Sequence, residues 1–116
     1  MQRDVVLRWI EQIVATVRRM LLGPSAVDPE VVDRMIDDAI GKLLGPLTLV
    51  VPRLDVASVV TLLRDPDRLT GLARLLELKA MALERMGNLG AAEALWVRAA
   101  QLTDEGQQVD GGDGAA

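Results

Sequence analysis

The chain contains no histidine, no cysteine, no tyrosine and no phenylalanine. Without histidine, no unperturbed side chain changes charge between pH 5 and 8, and there is no imidazole ligand for a metal. Without cysteine there is no thiol nucleophile, no disulfide framework and no thiolate metal site, and the redox compartment is left open. Without tyrosine the phenol donor is missing too. Trp9 and Trp96 are the only aromatics, so the stacking platforms that hold single-stranded nucleic acid are poorly supplied. What remains for chemistry is carboxylates, the two lysines Lys42 and Lys79, and a few hydroxyls. Ser25 and Ser58 stand at predicted helix starts or loops with no base to activate them, and turn or cap polarity accounts for both. The sequence therefore predicts a protein that is not an enzyme, with no catalytic residue, no cofactor and no metal.

Charge excludes a further class. The formal net charge of −4 divides into +2 over residues 1–22, −2 over 23–54, zero over 55–103 and −4 over 104–116. No basic block stands out, so the clustered positive footprint of a nucleic-acid binder is lacking. The scarcity of lysine among 13 basic residues reflects a GC-rich coding bias rather than a demand of the fold. Charges at Arg3 and Asp4 interrupt the first apolar residues, unlike a secretory signal, and no apolar run approaches a membrane span. A soluble cytoplasmic protein is expected.

What is present is aliphatic. Half of the 116 residues are hydrophobic, almost all Leu, Val, Ala, Ile and Met, which is enough for one domain with one core. Residues 4–22 place Val6, Ile10, Ile13, Val17 and Met20 or Leu21 at spacings of three and four, the stripe of an amphipathic helix, widened by Trp9 and Val14 and closed by Gly23-Pro24. In "DPEVVDRMIDDAIGKLLGP", Asp28 is a cap, Pro29 a first helical residue and Gly45-Pro46 a stop. Its apolar pairs, from Val31/Val32 to Leu43/Leu44, recur every four residues. The stretch "LTLVV", 47–51, has strand-like residues but no second strand to pair with, and is expected to be an apolar connector packed on the core. Asp55 caps a short third helix ending near Arg64, and "DPD" at 65–67 starts a fourth that runs to about Met86, with a disturbance expected at Gly71. Gly87-Asn88 makes a turn into a fifth helix ending near Leu102. The acidic, glycine-rich residues 104–116 carry almost no large apolar group and are expected to form a flexible tail. The expected architecture is all-α, a compact bundle of about five helices over residues 1–103.

Within it, the hairpin of about 66–103 carries a spacing of its own. Ala80 and Leu83 precede the Gly87-Asn88 turn; Ala92 and Trp96 then form an Ala-x3-aromatic pair, and Ala99 follows three residues later. Over residues 73–106 this resembles one tetratricopeptide repeat, a helix-turn-helix unit of about 34 residues. Lys79 stands where that family prefers Leu, Leu76 where it has Trp, and Asp104 where Pro ends its second helix. With its "RDVVLRWIEQI" opening the layout also resembles short bacterial helical proteins. The repeat resemblance implies that alanines let the two helices approach, that Trp96 fills the gap beside the pair, and that a peptide docks on the inward face. By position that face presents Arg74, Glu77, Met81, Glu84 and Arg85. One such unit cannot cover its own hydrophobic side, so the preceding helices are expected to seal it.

These features point to a protein-protein interaction module. Self-association through Val6, Trp9, Ile10, Ile13 and Val17 of the first helix, giving a homodimer or other homo-oligomer, competes with the same stripe being ordinary monomer core. A protein or peptide partner on the repeat-like face is the other version. The alternative is a peripheral protein whose helix 4–22 lies on an anionic membrane through Arg3, Arg8, Arg18, Arg19 and Trp9, opposed by Asp4 and Glu11. The acidic group Glu30, Asp33, Asp37 and Asp38 has oxygens suited to a hard cation, although a solvated face near a helix N-terminus explains it more simply. Lys79 is expected to be a surface lysine with its stem laid along apolar neighbours.

Overall fold

The computed structural model describes residues 3–24 and 27–115, the side chains of 3, 4 and 109–115 excepted. Five α-helices follow one another: α1 (Arg3–Leu22), α2 (Pro29–Leu44), α3 (Val56–Leu63), α4 (Pro66–Arg85) and α5 (Leu89–Ala115). No strand occurs among the described residues, so the chain is an all-α bundle.

The helices begin where local chemistry dictates. Asp28 accepts the Glu30 amide at 2.9 Å, Asp55 the Ser58 amide at 3.1 Å, and Asp65 the Asp67 amide at 2.9 Å, each filling an otherwise unpaired donor of a first turn. Hydrogen bonding to Ser58 holds the Asp55 carboxyl below its ordinary 3.8. Pro29 and Pro66 each sit in the first turn, where a missing N–H costs no helical bond. Between α4 and α5 the chain turns through Gly87 at φ +84°. There the Asn88 amide donates to the Leu83 carbonyl at 2.9 Å and the Gly87 amide to that of Glu84 at 3.0 Å, the paired bonds of a left-handed helix stop.

Helix α4 is the centre. Leu69, Leu72, Leu75, Leu76 and Leu78, together with Ala73, Ala80 and Ala82, are all buried, so its apolar side chains point in most directions. A helix of that kind needs neighbours around it, and α1, α2 and α5 all pack on it. The α4–α5 pair is antiparallel: Glu84 meets Trp96 near the turn, and Leu69 meets Gly106 at the far end. Gly71 does not disturb α4. It marks the place where α1 crosses, with the methyl end of Ile10 lying where a Cβ would stand. A glycine inside a helix reads locally as a weak point, but here it admits a neighbour.

Two segments differ from expectation in their bounds. Residues 45–53 form two consecutive 3₁₀ turns, Gly45–Leu49 and Val51–Arg53. Val51 is buried and Leu47 packs on the core, while Leu49 is 81% exposed, so the connector is only partly an inner one. Arg98 of α5 secures it by donating to the Val51 carbonyl at 2.9 Å. The second difference is α5, which continues past Leu102 to Ala115 instead of giving way to a tail at Asp104. Leu102 is fully buried and a Cβ added at Gly106 would stand 3.5 Å from the Leu69 Cβ, so α4 supports the extra turns beside a glycine rather than through a large apolar group.

Candidate functional site

Each predicted docking residue has a definite place. In α1, Ile10 and Val17 are 1% exposed and belong to the monomer's core, so they offer nothing to a partner. Val6, Trp9 and Ile13 lean on the same core but remain half-buried, on the flank of α1 that turns toward α2. The stripe therefore divides: its centre is spoken for by α4 and its edge is not.

The inward face of α4 is also largely taken. The Arg74 guanidinium pairs with Glu11 of α1 at 3.2 Å. Arg74, Glu77, Leu78 and Met81 share a cleft of about 310 Å³ with Val14 and Arg18 of α1 and with Trp96. The face that the repeat resemblance gives to a peptide is thus occupied by the chain's own first helix. Glu84 stays exposed and accepts the Trp96 Nε1–H at 3.2 Å; Arg85 lies exposed beside Pro24, Val27 and Pro29. Ala80, Ala92 and Ala99 are buried, as close approach of the two helices requires, but Trp96 is 37% exposed. It walls the cleft instead of filling a gap, because α1 rather than a second repeat is its neighbour.

The acidic row on α2 meets a cation of the chain itself. Lys79 Nζ donates to Asp37 Oδ1 at 2.8 Å and to Asp33 Oδ1 at 2.9 Å, tying α4 to α2. Burial of the ammonium works to lower its pKa, yet the hydrogen bonds and charges of Asp37 and Asp33 outweigh it and hold the amine above its ordinary 10.5. Lys79 is thus a partly buried bridge rather than a surface lysine. Among the described residues no group of three acidic side chains is arranged to hold a metal ion. Ser58 is exposed and acts through its backbone amide on Asp55; Ser25 lies outside the described residues, as do the side chains of Arg3 and Asp4.

The sequence gives no hint of a hollow at one corner of the bundle. At the corner where the start of α1, the end of α2 and the α3–α4 junction meet, a cavity of about 810 Å³ is lined by Val5, Val6, Trp9, Leu43 and Leu63, with Lys42, Asp65 and Arg68 as its charged groups. A shallower groove of about 320 Å³ continues between α1 and α2 past Trp9, Ile13, Met35 and Lys42. The groove exists because α1 and α2 both pack on α4 and touch each other far less. Val5 is 50% exposed at one end and Met35 40% at the other. Periodicity showed the α1 and α2 apolar faces separately, but not that they meet each other and the α3–α4 junction at this corner, because those segments lie far apart in the chain. No helix among the described residues is long and apolar enough to cross a membrane. Compared with known protein families, curated proteins and solved structures, the chain matches none of them.

Proposed function

We propose that the protein is a non-enzymatic, cytoplasmic interaction module that self-associates along the groove between α1 and α2. The observation that carries this reading is a half-exposed apolar lining: Val5, Trp9, Ile13 and Met35 lie along the corner cavity and the groove that joins it at Trp9, and no other described residue buries them. Apolar strips of this kind lose free energy when a complementary surface removes them from water. A second copy presents the same strip, so a two-fold arrangement places like against like. The membrane-surface alternative has less behind it, because Ile10, Val14, Val17 and Leu21 are already buried against the rest of the bundle. The repeat-like hairpin serves, on this proposal, as the frame that holds α1.

Light scattering over a concentration series is the test. The wild type is expected to approach twice the chain mass, and Met35→Glu to raise the dimer dissociation constant at least about tenfold by placing a charge in the interface. Val97→Glu, on α5 outside the lining of the groove and 52% exposed, is expected to leave it unchanged. A strict monomer at high concentration, or a dimer indifferent to Met35→Glu, would remove the proposal.

A further inference from the structure

The corner cavity combines two properties that seldom occur together by accident. Five of its lining side chains are apolar. Of its three charged groups, Asp65 is already engaged as the cap of α4, accepting the Asp67 amide at 2.9 Å. Lys42 and Arg68 form no ion pair or hydrogen bond with the described residues, although Arg68 is half-buried. The other half-buried cations among the described residues behave differently. Lys79 has two carboxylates, Arg74 has Glu11, and Arg98 has the Val51 carbonyl. A partly desolvated cation gains most from an anion in a place sheltered from bulk water, and two cations from different helices can converge on one head group.

From this arrangement we infer that the cavity binds a single-chain anionic amphiphile, a long-chain carboxylate, with its head between Lys42 and Arg68 and its chain along Val5, Val6, Trp9, Leu43 and Leu63. The volume lies within the range of about 300–1,000 Å³ typical of small-molecule sites. Charge complementarity selects the anion, since among the described lining residues the two cations Lys42 and Arg68 outnumber the one carboxylate, Asp65. The apolar wall selects the chain, which a free inorganic anion would not use. The cavity shares Trp9 and Lys42 with the shallower groove that runs on to Met35, but Arg68 lies outside that groove and Met35 outside the cavity, so substitutions at the two positions test ligand binding and self-association independently.

The experiment uses the full chain carrying Trp96→Phe, so that Trp9 is the sole fluorophore, titrated with decanoate below its micelle-forming range. A saturable change in Trp9 emission at one ligand per chain is expected. Decanol, which has the same chain without the charge, is expected to bind about tenfold more weakly. Arg68→Gln is expected to bring decanoate down to the level of decanol while leaving decanol itself unaffected, a pattern that a merely unfolded variant would not give. Equal binding of the two ligands, no saturable response, or an Arg68→Gln variant that binds decanoate normally would overturn the assignment. So would attachment to vesicles of anionic lipid without any response to free decanoate, which would mark a membrane surface instead.

Discussion

Two residues show how a single position sets the packing. Gly71 lets α1 cross α4 so closely that an added Cβ would overlap Ile10 Cδ1, with Leu43 Cδ2 at 3.5 Å behind. Alanine normally improves a helix interior by about 1 kcal/mol over glycine, but forcing a methyl into a filled core costs about 1–3 kcal/mol. Gly71→Ala is therefore expected to lower stability by up to about 2 kcal/mol in urea unfolding. Ile10→Val, which removes the obstructing methyl, is expected to cost about 1 kcal/mol alone and to offset much of the Gly71→Ala loss when combined with it. Strict additivity would show that the crossing is looser than described. Lys79 is the electrostatic counterpart. Its raised pKa means that the folded state holds the proton more tightly than the unfolded one. The stabilisation is thus complete below about pH 10 and disappears as pH climbs through the folded value. Lys79→Met is expected to cost about 1–3 kcal/mol at neutral pH by leaving two carboxylates facing one another, and the difference from wild type should narrow in alkaline melts. A difference constant with pH would argue that the lysine acts through its stem alone.

At the scale of elements, what could be seen in the sequence was whatever is encoded locally. Asp28, Asp55 and Asp65 announce helix starts because a cap acts within three residues, and Gly87-Asn88 announces a turn because positive φ favours glycine. The aliphatic spacing of α1 and α2 gave their buried faces in the same way, with Ile10, Val17, Val32 and Ile36 all inside. Nothing local encodes the pairing of Lys79 with residues 42 and 46 positions earlier, the hold of Arg98 on the Val51 carbonyl, or the corner cavity. The end of α5 belongs with these, because its support at Gly106 comes from Leu69 and glycine otherwise reads as a helix stop. The site suffered most: five docking residues were chosen from an α1 stripe whose centre is core, while Met35 was read only as part of the apolar face of the second helix, Lys42 only as one of two lysines, and Arg68 not at all. The length of α5 can be checked by truncation. Ending the chain at Leu102 is expected to lower stability by about 1–2 kcal/mol, since it strips the cover from Leu69, whereas ending it at Gln108 is expected to change stability by less than about 0.5 kcal/mol. Equal melting of the two shortened chains would mean that the Gly106 contact contributes nothing.

For the molecule as a whole, the arrangement is one enclosed helix with three others laid around it, and α3 with the 3₁₀ turns closing one end. Removing a central side chain such as Leu75, which has no exposed surface, is expected to cost about 2–5 kcal/mol and so to consume much of the stability of a small domain. The enclosure of α4 also fixes an order in time. The amides of α4's central turns, around the buried Leu72, Leu75, Leu76 and Leu78, are shielded by elements that must first depart, so they reach solvent only on complete unfolding, whereas the end at Glu84 and Arg85 is exposed. Deuterium should accordingly enter the start of α1 and the 3₁₀ segment early and α4 last, and the slowest α4 amides should report the global unfolding equilibrium itself, sharing its dependence on denaturant.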